Sequence, residues 1–119
     1  MANDSEYKES DIERLIKEYQ GIQSGLRSAT MQTDQLKGQR MELDTAKEEV
    51  EKATEDVYIT VGGVIVKTTK EAAMKSIAER LELLDMRIKA SSRQLDDLKG
   101  REKDLREQLT EMSGDQQKK

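Results

Sequence analysis

No cysteine, histidine, proline, phenylalanine or tryptophan occurs among the 119 residues of this sequence. Without cysteine neither a disulfide nor a thiolate-held metal can form, and without histidine the usual proton shuttle and zinc ligand are missing as well. The lack of cysteine is compatible with the cytosol. Without proline, no helix loses a rung of its i→i−4 hydrogen-bond ladder. Aromatic residues make up only 3%, too little bulk for an ordinary globular core, so a chain sized for one domain is expected to be elongated. No run of about 18 apolar residues is present to span a bilayer. The opening Met1-Ala2-Asn3-Asp4-Ser5-Glu6 carries neither a charged leader nor a hydrophobic signal core. A soluble, cytoplasmic protein with no membrane partner is therefore expected.

What is plentiful is charge. Charged residues make up 39% of the chain, with 25 acids against 21 bases mixed along it and a net charge of −4. No basic stripe is left to neutralise phosphates, so nucleic acid is not an expected partner. Apolar residues recur too regularly for a disordered chain. They form two heptad-patterned segments, Ser10 to Thr54 and Thr69 to Met112, on either side of a β-type stretch from Val57 to Lys67.

The first segment opens on Ser10-Asp11-Ile12-Glu13, which has capping-box spacing with Ser10 at the N-cap, although Asp4 or Ser5 would cap a slightly longer helix. Alternating steps of three and four from Ile12 run through Leu15, Tyr19, Ile22, Leu26 and Ala29, then Thr33, Leu36, Arg40, Leu43, Lys47, Val50 and Thr54. One column of this seam turns polar after Leu26, so the seam is richest toward the N-terminus. A polar residue at a core heptad position costs stability and can fix register or partner choice. The second segment opens on Thr68 and Glu71 at the same capping spacing. Its seam, Met74, Ile77, Leu81, Leu84, Ile88, Leu95, Leu98, Leu105, Leu109 and Met112, is broken only by Ser91 and Glu102. Ser113-Gly114 predicts the stop, and residues 1–9 and 113–119 are expected to be flexible ends.

Between the segments, Gly62-Gly63 separates two β-branched runs, as a type I′ or II′ two-residue hairpin requires. Pairing outward from the turn sets Val61 opposite Val64, Thr60 opposite Ile65, Ile59 opposite Val66 and Tyr58 opposite Lys67. One face becomes Val57, Ile59, Val61, Val64 and Val66. The chain then reverses at the hairpin, and the helices return along each other as an antiparallel coiled coil of about 45 residues, roughly 67 Å long. This fold-back places Leu15 near Met112, Ile22 near Leu105, Leu36 near Ser91 and Gly25 opposite Gly100. Gly21, Gly25 and Gly100 each cost about 1 kcal/mol relative to alanine, marking a weaker zone. A two-stranded hairpin with an apolar face and two open edges is at best marginal alone, so it predicts assembly with other subunits. The expected fold is thus mostly α, a single domain over 1–119: helix 10–54, β-hairpin 57–67, helix 69–112.

The stretch Asp56-Val57-Tyr58 through Lys67-Thr68-Thr69-Lys70-Glu71, followed by Ala78-Glu79-Arg80-Leu81-Glu82-Leu83-Leu84-Asp85-Met86-Arg87-Ile88, resembles the β-type subunits of prefoldin, most closely the archaeal form. The resemblance covers nearly the whole chain. It implies a heterohexamer with α-type subunits and further copies of this chain, in which hairpin residues Val57, Tyr58, Ile59, Val61, Gly62, Gly63, Val64, Ile65 and Val66 build an intersubunit β-barrel. It also implies an ATP-independent holdase, a molecular chaperone that grips unfolded client proteins with its helical tips and passes them to a group II chaperonin. By position, the gripping residues are Ile12, Leu15, Ile16, Tyr19 and Ile22, with Leu105, Leu109 and Met112 opposite. Asp4, Glu6, Lys8, Glu9 and Asp11 make the preceding segment more charged than that pattern, so the grip is expected to begin at Ile12.

All of these except Ile12's neighbour Ile16 lie on the seam, where they also hold the coil shut, so gripping requires the helices to fray or splay. Met31, Met41 and Met86 lie off the seam, where methionine suits adaptable contacts, but flank packing or simple tolerance is the expected account. The acid groups Glu48-Glu49-Glu51 and Glu79 with Glu82 are read as solvated helix faces rather than catalytic carboxylates or metal ligands. Gly62-Gly63 lacks the Gly-Lys-Ser/Thr of a phosphate loop. Neither a cofactor nor an enzymatic activity is expected. The competing reading is a structural coiled-coil spacer or scaffold subunit without client binding.

Overall fold

The computed structural model of the chain describes the backbone of residues 9–117 and the side chains of 9–114. Four elements follow one another: α1 (Glu9–Lys52), β1 (Val57–Val61), β2 (Val64–Thr68) and α2 (Lys70–Gln117). The fold is mostly α, two long helices joined by one antiparallel β-hairpin. The described chain gathers into two compact units, one from residues 9–31 with 92–117 and the other from Gln32–Ser91.

Helix boundaries depart from expectation by one to five residues. Ser10 stands inside α1 rather than at its cap, and the alternative caps Asp4 and Ser5 lie outside the described residues. At its carboxyl end α1 stops at Lys52, two residues short of Thr54, because the Ala53 amide donates to the Val50 carbonyl at 3.1 Å and tightens the last turn. The Lys70 ammonium then donates to the Glu51 and Ala53 carbonyls at 2.6 and 3.4 Å, satisfying helix-end acceptors with a cation of the sign the dipole favours.

The second helix is capped by Thr69, not Thr68. Its Oγ1 accepts from the Ala72 amide at 3.0 Å, and its carbonyl accepts the first helical bond from Ala73 at 2.9 Å. Thr68 is unavailable for that role because it ends β2, paired with Val57. The stop expected at Ser113-Gly114 is not used, and α2 continues to Gln117. Gly114 is not among the positive-φ glycines, so it never adopts the left-handed cap that would end the helix.

The hairpin register is the one read from the sequence, with Val57↔Thr68 added at its open end. Gly62 and Gly63 have φ of 55° and 81°, so both central residues are left-handed and the turn is type I′. A side chain at either position would be strained, which is why two glycines stand there.

Candidate functional site

In the unit of residues 9–31 and 92–117, the heptad seam brings Leu15 and Ile22 of α1 against Leu105 and Met112 of α2. All four are buried, Met112 to 2% exposure. Ile12, Tyr19, Leu26, Leu98 and Leu109 pack around them, half-buried. Seven of the eight residues proposed to grip a client therefore lie in or against one closed core. Ile16 is the exception, 41% exposed on the flank. A side chain at Gly25 would meet Leu98 Cδ2 at 3.8 Å, whereas one at Gly100 would meet open space.

One carboxylate is set into this apolar seam. Glu102 has a side chain only 20% exposed, and its Oε2 accepts from the Tyr19 hydroxyl at 2.7 Å, while Arg106 Nε lies 3.6 Å from the same oxygen. Donation to Glu102 pushes the Tyr19 hydroxyl above the ordinary tyrosine range, with partial burial and the Glu102 charge acting in the same direction and Arg106 and Gln23 opposing. Beside the pair runs a groove lined by Tyr19, Arg106, Leu109, Thr110, Ser113 and Gly114. Glu102 is visible in the sequence as a break in the seam, but its partner is not.

The unit of residues 32–91 closes differently. Ala73, Ile77 and Leu84 supply buried apolar positions, but one layer is a hydroxyl pair, with Thr33 Oγ1 2.5 Å from Ser91 Oγ. Ser91 thus finds a hydrogen-bonding partner in Thr33. Arg40, the seam's most polar position, turns to the surface: Nη1 lies 2.6 Å from Asp44, and Nε donates to Asp85 Oδ1 at 2.5 Å. Hydrogen bonding to Arg40 holds the Asp85 carboxyl below its ordinary value, and Arg40 is raised chiefly by the same bond. Exposure keeps such pairs modest in energy but leaves their orientation specific.

The hairpin belongs to this second unit. Only Val57 is buried; Ile59 is half-buried, and Tyr58, Val61, Val64, Ile65 and Val66 are exposed, Ile65 to 72%. Alternation puts Val61, Val64 and Val66 on one face and Tyr58 and Ile65 on the other, so apolar area is displayed on both. At the hairpin's open end Lys67 and Asp56 pair at 3.3 Å. Leu83, Met41 and Met86 of this unit, and Met31 of the first, are also exposed. Among the described residues no three or more acidic side chains gather as a metal site, and no helix is long and apolar enough to cross a membrane.

Two seam-packed helices linked by one type I′ hairpin with uncovered apolar faces define a coiled-coil hairpin subunit. The family model described as "Prefoldin subunit" matches residues 13–116, and the chain belongs to the prefoldin family. Its β-type character is shared by similar proteins. It is 34% identical to the prefoldin subunit beta of Methanosarcina acetivorans over 105 residues, 87% of this chain and 90% of that protein. With the prefoldin subunit beta of Pyrococcus furiosus it shares 32% identity over 100 residues, 82% of this chain and 86% of that one. The crystal structure of the prefoldin beta subunit from Thermococcus strain KS-1 superposes with a TM-score of 0.79 at 29% identity, covering 84% of this chain and 90% of that one.

Proposed function

We propose that this chain is the β-type subunit of a cytoplasmic, ATP-independent holdase that captures unfolded proteins and delivers them to a group II chaperonin. Membership of the prefoldin family over residues 13–116 carries the reading. Client capture is assigned to the core of the first unit, Ile12, Leu15, Tyr19, Ile22, Leu105, Leu109 and Met112, with Ile16 as the residue already exposed beside it. Because that core is closed, capture requires the helix pair to open and exchange contacts with itself for contacts with the client. Many weak apolar contacts, multiplied over several subunits, then hold a non-native chain without nucleotide.

Assembly is assigned to the hairpin. Val57, Tyr58, Ile59, Val61, Gly62, Gly63, Val64, Ile65 and Val66 pair with the hairpins of an α-type subunit and of further copies of this chain to form an intersubunit β-barrel. The exposure of Val61, Val64, Ile65 and Val66 supports this, since burial of both apolar faces and both edges is what a lone hairpin lacks. Burial of Leu15, Ile22, Leu105 and Met112 equally supports a second reading, a coiled-coil spacer whose core serves only to stay shut.

Light scattering of a diluted denatured protein, with the chain alone and with an α-type partner, separates the two. A holdase suppresses scattering, and removal of residues 1–22 abolishes the suppression while the assembly persists. A spacer suppresses nothing in either form.

A further inference from the structure

The carboxylate of Glu102 interrupts the apolar seam it sits in, only 20% exposed. A carboxylate among Leu98, Leu105 and Tyr19 is partly stripped of water and forgoes the apolar contact a leucine would make there. The structure compensates with one strong bond, from the Tyr19 hydroxyl on the facing helix, and one looser approach from Arg106 a turn away on its own helix. Only the Tyr19 bond crosses between helices. It is also directional, formed at one register and lost as soon as the helices separate by an ångström or two.

We propose that the Tyr19–Glu102 hydrogen bond is the clasp that sets how readily the first unit opens for client capture. The inference rests on the reading of that core as the capture site. When the clasp is made, Leu15, Ile22, Leu105 and Met112 are packed together and withdrawn from solvent. When it breaks, Glu102 and the Tyr19 hydroxyl regain water, which offsets part of the lost apolar burial, so opening here costs less than at an all-leucine layer. A polar pair in the seam thus keeps the empty protein closed and in register while leaving the barrier low enough for a client to cross. An aliphatic pair would close more firmly and hold no such balance.

The test uses the full chain assembled with an α-type partner, comparing wild type with Glu102→Leu, Tyr19→Phe and Glu102→Gln by amide exchange over residues 12–26 and 98–112 and by the rate of client capture in the scattering assay. Glu102→Leu is expected to slow amide exchange in both segments about tenfold and to slow capture in step. Tyr19→Phe should speed both several-fold. Glu102→Gln, which keeps an acceptor for Tyr19, should lie near wild type. Exchange unchanged by Glu102→Leu would overturn the clasp, and exchange slowed without any change in capture would overturn its control of binding. A wild-type assembly that protects no client would overturn the capture reading itself, and the exchange measurements would still show whether the clasp exists.

Discussion

In residues 9–31 and 92–117 the helices meet over Leu15, Ile22, Leu105 and Met112 with a single carboxylate among them, whereas in residues 32–91 a hydroxyl pair is buried and an arginine bridges two aspartates at the surface. The first unit packs its seam inside, with Ile16 and Met31 left exposed on the flank. The second displays much of its own, on both faces of the hairpin. One heptad grammar therefore yields two arrangements, a closed apolar core and an exposed apolar hairpin. Tyr19–Glu102 and Thr33–Ser91 also show two ways of placing a polar layer in a seam. In the first a carboxylate accepts from a hydroxyl, and in the second two small neutral hydroxyls meet.

The sharpest break of this comparison is at the hairpin. Ile59→Asp with Val66→Asp sets two like charges opposite each other on one face, and assembly with an α-type partner is expected to be lost while helical circular dichroism is retained. Size measurement of the mixed subunits decides it, and an intact complex would remove the hairpin from the interface. Next in size, Ile22→Ala in the closed core should cost about 2–4 kcal/mol in urea unfolding of the isolated chain, but Ile65→Ala on the open hairpin only about 0.5. Equal losses would mean that the two units do not differ in how they hold apolar surface.

A smaller effect distinguishes the polar layers. Thr33→Val leaves the Ser91 hydroxyl without the Thr33 oxygen and is expected to cost about 1 kcal/mol, with Ser91→Ala added on top recovering part of it. Urea midpoints of the single and double variants check this. The smallest expected effect is electrostatic. The Arg40 pair holds Asp85 below its ordinary value of about 3.9, so the pair's contribution is present above that pH and lost as pH falls through the lower, folded-state value. Wild type and Asp85→Asn should therefore differ slightly in urea midpoint at neutral pH and converge in acid.

Legibility in the sequence followed the range of the interaction. The hairpin register was readable because two glycines between β-branched runs admit one tight turn, and the turn sets every pair outward from it. Helix ends were less readable. Thr68 and Thr69 are chemically equivalent caps until β2 claims Thr68 for pairing with Val57, and Ser113-Gly114 stops a helix only if Gly114 turns left-handed. Seven of the eight residues assigned to client capture could be found as seam positions, Ile16 lying off the seam, yet periodicity alone does not tell a residue that closes a core from one that offers itself to a partner. Glu102 and Arg40 stood out as seam breaks, but the acceptor or donor that each would find depended on the stagger of the two helices, which a shift of a residue or two alters. That stagger gives Ser91 its hydrogen bond to Thr33 and sets Gly25 beside Leu98.

Local chemistry along the chain determined two helices, one reversing turn and a seam to join them, because turn geometry and heptad spacing act between near neighbours. Only the tertiary structure decided which carboxylate faces Tyr19, which hydroxyls pair, and that one set of apolar side chains is hidden while the hairpin's is left open. Those outcomes depend on how two distant stretches of helix are staggered, a quantity summed over all their contacts and written at no single residue.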